Sequence, residues 1–387
     1  MKISILLSES YPFGMASTNR IHLYAKGIVE SGNDVEILVP GVTEEYGKVR
    51  NHNRVGEYEG VKFKYACNPV RSKSFIGRRI QNFTSLINSV IILIRFKPKI
   101  IVVVSNVFKY ILLAKVCSVI IRAKLIREKS EVPFYKIEVI SGIRRIRTIA
   151  EFRLFDGLIV ISGALKDFFI KDLSLKTKVL EVPILINISE KPLIKNEPGL
   201  IKRNLVYTGS LLNNKDGVLT IIKAFVKVLP NHPYSRLILT GDLEKSVDKK
   251  SILSLIDELN IKEKVELTGY ISKERLLEIT STAAVLLLAK PDNRQNRYNM
   301  ATKIGEYLLT GRPALISDVD PVSLYLSHRR NAFIVKPEED QIAKELEFIL
   351  NNPKEAEEIG FAGKEIALKL FDYKIHAGRM NDFFKTF

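Results

Sequence analysis

A chain of 387 residues with 46% hydrophobic and 27% charged residues can bury two sizeable cores, which excludes an intrinsically disordered protein. Its two cysteines, Cys67 and Cys117, sit in apolar surroundings without a CxxC spacing, which excludes a disulfide scaffold or zinc module and suits a reducing cytosol. The net charge of +17 suits an anionic partner, with a generally basic solvated surface as the competing reading. It is concentrated, because residues 51–150 hold 20 Lys or Arg against 5 Asp or Glu.

Taken in chain order, short β-branched runs at 3–7, 34–39, 61–66, 100–105, 124–128, 157–162 and 179–183 read as strands. Helical periodicity fills 21–30, 75–94, 107–121 and 165–173 between them. Continuous apolar strands alternating with helices predict a parallel sheet with crossover helices. A stretch with two prolines and a glycine, 189–203, reads as a linker. The pattern then restarts, with strands at 205–208, 236–240, 265–268, 284–289, 314–317 and 332–335 and helices at 217–229, 251–260, 273–281, 302–310 and 340–351. Two helices dividing near Phe371-Asp372 close the chain. Two tandem doubly wound sheets with a ligand cleft between them are expected. The opening apolar run is too short for a signal sequence, and no run approaches the roughly 18–20 apolar residues of a spanning helix. Neither a leader nor integral membrane insertion is expected.

Within the basic stretch, Arg71, Lys73, Arg78 and Arg79 lead into an apolar 83–94 segment followed by Arg95, Lys97 and Lys99. Basic residues flanking aliphatic runs suit an anionic membrane surface. Nucleic acid is the competing partner, but the aromatic interleaving used for base stacking is missing.

Three loops follow strands, at the edge where such folds bind ligands, and a fourth segment of interest opens a helix. The first, 8–20, is not GxGxxG, yet Gly14, Ser17, Thr18, Asn19 and Arg20 offer small and polar groups near a helix start. The second, 209–217, places Gly209, where backbone can approach a ligand closely, before Lys215, and lacks the P-loop spacing. The third offers Gly269 and Tyr270 to a base or ribose. The fourth, Met300-Ala-Thr-Lys-Ile-Gly-Glu306, opens a helix that Gly311 and Pro313 stop. Lys303 and Glu306, three apart, share a face near the helix start, where free amides favour an anion. Gly305 costs roughly 1 kcal/mol against Ala in a helix. A solvated surface ion pair is the competing reading of Lys303 and Glu306. Asp318-Val-Asp320 reads as a polar loop after a strand, and His22, His52, His232, His328 and His376 show no ligand or triad spacing. His22 alone lies close to a candidate loop.

These motifs, in this order, resemble the retaining GT-B glycosyltransferases of family 4, the group 1 type. The resemblance rests on Tyr207-Thr-Gly-Ser-Leu with Lys215-Asp-Gly-Val, on Val265-Glu-Leu-Thr-Gly-Tyr-Ile-Ser-Lys-Glu-Arg-Leu, on Lys303-Ile-Gly-Glu306-Tyr-Leu-Leu-Thr-Gly-Arg-Pro, and on Tyr11-Pro-Phe-Gly with Asn19-Arg20. It implies an α/β GT-B fold of two Rossmann-like, doubly wound parallel-sheet domains facing a central cleft. Residues 1–190 would bind the acceptor and 191–370 a nucleotide sugar, UDP favoured over GDP. Residues 371–387 would pack back on the first domain. Glu306 would hold the donor ribose, and Lys215 and Lys303 the diphosphate. Gly209, Ser210, Tyr270, Met300, Ala301 and Thr302 would complete the donor site. Gly14, Ser17, Asn19 and Arg20 would form an acceptor or phosphate loop. Two departures stand out: Tyr298 replaces the first glutamate of the family's E-x7-E motif, and Ser210 replaces a loop arginine, which leaves Arg20, Arg294 or Arg297 to supply the charge. No metal or other cofactor is implied. The acceptor would be a lipid-linked oligosaccharide or other glycan in cell-surface glycan synthesis, made by a cytoplasmic enzyme peripheral at the inner face of the cell membrane. Two other readings remain open: a non-catalytic polyanion- or nucleic-acid-binding protein, and a sugar-nucleotide epimerase with the same two-domain architecture.

Overall fold

The computed structural model describes all residues except 48, 138, 190–202 and 320. Most of the expected 189–203 linker, and Asp320, therefore lie outside the described residues. The chain forms two compact units.

Unit 1 comprises Met1–Phe134, Val139–Leu185 and Tyr373–Phe387. Its strands are β1 (Lys2–Leu7), β2 (Asp34–Val39), β3 (Val55–Tyr58), β4 (Val61–Tyr65), β5 (Ile100–Val104), β6 (Lys124–Lys129), β7 (Gly157–Val160) and β8 (Lys178–Glu181). They pair in the order β3-β4-β2-β1-β5-β6-β7-β8. Every pairing is parallel except β3 with β4. At the centre, Ile5 of β1 stands opposite Ile37 and Val102, and all three join the core. The helices are α1 (Ala16–Glu30), α2 (Phe75–Phe96), α3 (Phe108–Ile121), α4 (Gly142–Phe152) and α5 (Gly163–Asp167), with the carboxyl-terminal helix Tyr373–Lys385. That last helix lies on α1. A Cβ at Gly27 would come within 2.6 Å of the Ala377 methyl, and the Tyr373 hydroxyl donates to Glu30 at 2.9 Å.

Four elements of unit 1 differ from the sequence reading, the first being α1, which begins at Ala16 rather than Ile21 and so carries Ser17, Asn19 and Arg20 on the helix instead of the loop. The edge hairpin β3–β4 was not expected. It turns at Glu59-Gly60, both with positive φ (47° and 82°), the geometry that matches the strand twist in two-residue hairpins. Helix α4 was not expected either, because its apolar residues are diluted by Arg144, Arg145 and Arg147. The expected 165–173 helix begins at Gly163 and becomes a wider π turn over Phe168–Asp172.

Unit 2 is built from Tyr135–Glu138 and Ile186–Asp372. Strands β9 (Asn204–Thr208), β10 (Arg236–Thr240), β11 (Val265–Gly269), β12 (Val285–Leu288), β13 (Ala314–Ser317) and β14 (Phe333–Val335) pair in the order β11-β10-β9-β12-β13-β14. All are parallel. This is the doubly wound arrangement in which the strand order reverses beside the first strand, and ligands bind beyond the carboxyl ends at that reversal. The helices are α6 (Asn213–Asp216), α7 (Val218–Val228), α8 (Lys249–Glu258), α9 (Lys273–Ser281), α10 (Arg294–Tyr298), α11 (Thr302–Leu309), α12 (Glu339–Asn351) and α13 (Pro353–Leu370). Leu205, Leu237, Val285 and Leu315 from four neighbouring strands meet Ile221, Phe225 and Leu346 in one apolar cluster. Among the described residues, no helix is long and apolar enough to cross a membrane.

Candidate functional site

The reversal point of unit 2 lies between β9 and β12, and three loops converge there. Tyr307 of α11 pins them: its hydroxyl accepts the Thr208 amide at 2.9 Å and donates to the Leu287 carbonyl at 3.4 Å. One side chain thus ties α11 to the ends of both strands. Helix α11 starts at Thr302, with Ala301 as its cap in extended conformation and no side-chain cap bond. As at any helix start, the first amides have no acceptor within the helix.

Lys303 is turned inward rather than out beside Glu306. Its ammonium forms an ion pair with Asp216 at 2.6 Å, meets the Tyr207 hydroxyl at 3.2 Å and stands over the Tyr207 ring, 4.6 Å from its centroid. The Tyr207 hydroxyl in turn donates to Asp216 at 2.7 Å. The Lys303 side chain is 17% exposed and that of Asp216 2%. Burial lowers the Lys303 pKa below the ordinary lysine value against the pull of Asp216. Burial alone would raise Asp216, but the Lys303 ammonium and the bond from Tyr207 outweigh it and hold the carboxyl below its usual range. The result is a cation fixed in place before any ligand arrives, the kind of preorganised charge that serves a phosphate group.

Glycines make room for this cluster. A Cβ at Gly209 would collide with the Lys303 ammonium and lie 2.6 Å from the Tyr207 hydroxyl. Gly217, at φ 71°, caps α6 in the left-handed region, and a Cβ there would overlap the Ala289 carbonyl oxygen. That close approach sets the 213–216 turn against the end of β12. The turn is also held from α10: Asn293 donates to the Asn214 carbonyl at 2.8 Å and Asn296 to the Lys215 carbonyl at 3.3 Å. Lys215 itself is exposed, as is Glu306.

The sequence-predicted donor residues therefore fall into two groups. Gly209, Ser210, Lys215, Met300, Ala301, Thr302, Lys303 and Glu306 belong to the loops and helix start at the β9–β12 ends. Met300 is buried, and Ala301, Thr302 and Ser210 are half-buried. Tyr270 follows the edge strand β11 and is 89% exposed. Asp216, Tyr207 and Tyr307 were not singled out from sequence. An Asp flanked by Lys and Gly reads as an ordinary turn, and only the fold brings it to a lysine 87 positions away. Arg294 is buried with its guanidinium over the Tyr298 ring, 5.2 Å from the centroid, and Arg297 pairs with Asp292 at 2.6 Å. Asp318 follows β13, its amide donating to the Val335 carbonyl at 2.7 Å.

In unit 1 the first loop is an internally bonded structure. The Thr18 hydroxyl donates to the Ser10 carbonyl at 3.0 Å, and a Cβ on Gly14 would run into Thr18. Ser17 bonds to Glu9, and Asn19 is exposed on α1. His22 meets the Tyr11 hydroxyl at 2.8 Å and Glu59 at 3.5 Å, within a cluster that includes Tyr58. Arg20 is 3% exposed, and its guanidinium faces inward: it pairs with Glu128 at 3.2 Å and donates to the Val182 and Pro183 carbonyls, each at 2.5 Å. Such a residue joins α1 to β6 and the strand-following segment after β8. Arg20→Ala is expected to destabilise unit 1 by about 3–5 kcal/mol, since Glu128 is left buried without its cation. Arg20→Lys should recover little, because an ammonium cannot span the three acceptors. Denaturant titration followed by circular dichroism measures both.

Comparison with known proteins agrees with this architecture. Residues 191–366 match the family model Glycosyl transferases group 1. No curated protein sequence matches the chain. Among solved structures, the chain is similar to sucrose-phosphate synthase from Thermosynechococcus elongatus, with 17% identity, a TM-score of 0.73, and coverage of 100% of this chain and 98% of that one. It is similar to HepE from Anabaena in complex with UDP-glucose, with 15% identity, a TM-score of 0.72 and full coverage of both chains. It is also similar to WaaG, a glycosyltransferase involved in lipopolysaccharide biosynthesis, with 14% identity, a TM-score of 0.67, and coverage of 98% and 99%. The fold is GT-B, with two Rossmann-like parallel-sheet units. The family match and the fold together support a glycosyltransferase.

Proposed function

We propose that this chain is a retaining, metal-independent glycosyltransferase that moves a sugar from a nucleoside diphosphate donor, UDP favoured over GDP, to a lipid-linked or polysaccharide acceptor. One observation carries the reading: the Lys303 ammonium, locked by Asp216 beside Gly209, stands at the strand-order reversal of unit 2, where this fold class binds phosphates. The diphosphate would lie against Lys303, Lys215 and the first amides of α11, with its ribose on the exposed Glu306 carboxylate. The UDP-glucose held by HepE supports a nucleotide-sugar donor here. As the bond to the sugar breaks, negative charge grows on the leaving diphosphate. Fixed cations and helix-start amides stabilise that charge without reorganising, which lets the step run without a metal ion. The acceptor hydroxyl would attack from the leaving-group face and pass its proton to the departing phosphate, so configuration is kept and no protein base is needed. Unit 1 would bring the acceptor, and the enzyme would work in the cytoplasm at the inner face of the cell membrane.

Calorimetric titration with UDP, GDP and a panel of their sugar conjugates tests the reading. Binding of at least one UDP-sugar, with turnover to free UDP when acceptor is added, is expected. Absence of binding by every nucleotide would overturn it, and conversion of the donor to an isomer without UDP release would favour an epimerase. Glu306→Ala is expected to weaken UDP binding roughly 10- to 100-fold, the loss of charged hydrogen bonds to the ribose. Because Glu306 is exposed, its melting temperature should change little. Full affinity in that variant would misplace the ribose.

A further inference from the structure

Helix α2 is inside out. The residues it turns into unit 1 are Ser85, Ser89 and Leu93. The two serines satisfy their hydroxyls on the carbonyls of Asn82 and Ser85. Its outward stripe is Ile76, Ile80, Phe83, Ile87 and Ile91, 38–71% exposed, at a spacing that keeps all five on one face. Neighbouring α3 also exposes an apolar row, Phe108, Leu112, Val116 and Val119. A soluble surface rarely carries so continuous an apolar patch without a partner.

Charge identifies the partner. Between Glu59 and Glu128 the chain holds 14 Lys or Arg and no Asp or Glu. An apolar helix face set among cations, on a helix too polar to cross a bilayer, fits an anionic membrane surface on which α2 lies flat.

At the amino-terminal end of α2 there is a pocket of about 470 Å³ lined by Glu44, Arg71, Phe75, Arg78, Arg79 and Tyr110 among others. Phe75 organises the cations: the Arg79 guanidinium stands over its ring at 4.7 Å. Gln81 holds the segment that carries Arg71, donating to the Asn68 and Val70 carbonyls at 2.9 Å and accepting the Ser72 amide at 3.1 Å. Glu44 takes the Arg50 amide on one oxygen at 2.9 Å. Its other oxygen is buried without a hydrogen-bond partner, an acceptor suited to a hydroxyl. Arg71, Arg78 and Arg79 line this pocket together with Glu44, with Arg78 also donating to the Lys73 carbonyl at 3.2 Å; such cations beside a carboxylate match the headgroup of a phospholipid that carries a hydroxylated substituent.

We propose that α2 and α3 dock unit 1 on an anionic bilayer, and that the Arg71–Arg78–Arg79 pocket binds the phosphate of a lipid with a hydroxylated headgroup. As the seat of the acceptor, this pocket rests on the transferase reading above. As a membrane site it does not.

Flotation of the full chain with phosphatidylglycerol and with phosphatidylcholine vesicles tests the proposal, with UDP binding measured on the same samples. Strong binding to phosphatidylglycerol and weak binding to phosphatidylcholine are expected. Replacing Arg71, Arg78 and Arg79 together by Gln should cost roughly 100-fold in vesicle affinity, given the contribution of each cation at a charged surface. Phe83→Glu should cost roughly 10-fold or more. Both sets change exposed or half-exposed side chains, and UDP binding should be unaltered. Glycerol 1-phosphate in solution should compete for the pocket only weakly, since the apolar face contributes to lipid binding. Equal binding of the parent chain to both vesicle types would overturn the proposal. So would unaltered vesicle binding by the variants, full competition by free glycerol phosphate, a dimer dispersed by Phe83→Glu without vesicle binding, or duplex DNA bound in place of vesicles. Vesicle binding without UDP binding would keep the membrane site and sink the transferase reading.

Discussion

Lys303→Ala is expected to abolish donor use and to destabilise unit 2 at once, and the two effects can be separated. The lysine is the only cation within ion-pairing distance of the buried Asp216 carboxylate among the described residues. Without it that carboxylate keeps only the Tyr207 hydroxyl, and stranding a buried charge costs about 3–5 kcal/mol. Loss of a fixed cation beside the departing diphosphate should lower kcat/KM roughly 10²- to 10³-fold. Adding Asp216→Asn to Lys303→Ala removes the stranded charge, so stability should largely return while UDP-sugar turnover stays lost. If the double variant regains turnover, Lys303 is structural only.

The pH dependence gives a second readout of the same pair. In the parent chain Asp216 is held below its ordinary range, so its contribution is full above the unfolded value and fades as pH falls through the lowered one. In Lys303→Ala, burial, the largest influence on Asp216, is opposed only by the Tyr207 bond and the Lys215 charge; the carboxyl is expected to rise above its unfolded value, so it costs stability at neutral pH and not once protonated. The deficit of the variant should therefore shrink toward acid, which denaturant titrations at several pH values would detect.

Gly217→Ala is expected to be among the most damaging single methyl additions in unit 2. The position has φ 71° and its added Cβ would overlap the Ala289 carbonyl oxygen, which is backbone and cannot swing aside. Left-handed strain and the clash together should cost about 4 kcal/mol, near the upper end for point substitutions. The 213–216 turn would also move away from β12, taking Asp216 from Lys303. UDP affinity should drop along with the melting temperature. Normal stability in Gly217→Ala would mean that the turn is not seated against Ala289 in solution.

Much of this architecture was legible before any coordinates. Parallel strands covered on both faces become continuous apolar runs, so 34–39, 236–240 and 314–317 stood out and match β2, β10 and β13 residue for residue. Gly311 stopped its helix as read, at φ 70° after the last turn. Helix α4 was hidden because three arginines dilute its apolar residues, and β3 because four exposed or half-exposed edge residues carry little hydrophobic signal. The Glu59-Gly60 turn between two alternating runs was the overlooked cue. Arg20 looked like a loop cation; its charge is instead consumed inside unit 1, and nothing local distinguishes the two fates.

By itself, then, the sequence determined the alternation of strands and helices, the glycine and proline punctuation, and the placement of Lys303 and Glu306 at the start of one helix, since all of these depend on neighbours within a few turns. The tertiary structure alone decided what those residues face. Asp216 reaches Lys303 because the order of strands in the sheet sets β9 beside β12. The serines of α2 rather than its isoleucines turn inward because periodicity reveals a stripe but carries no sign for which side is the core.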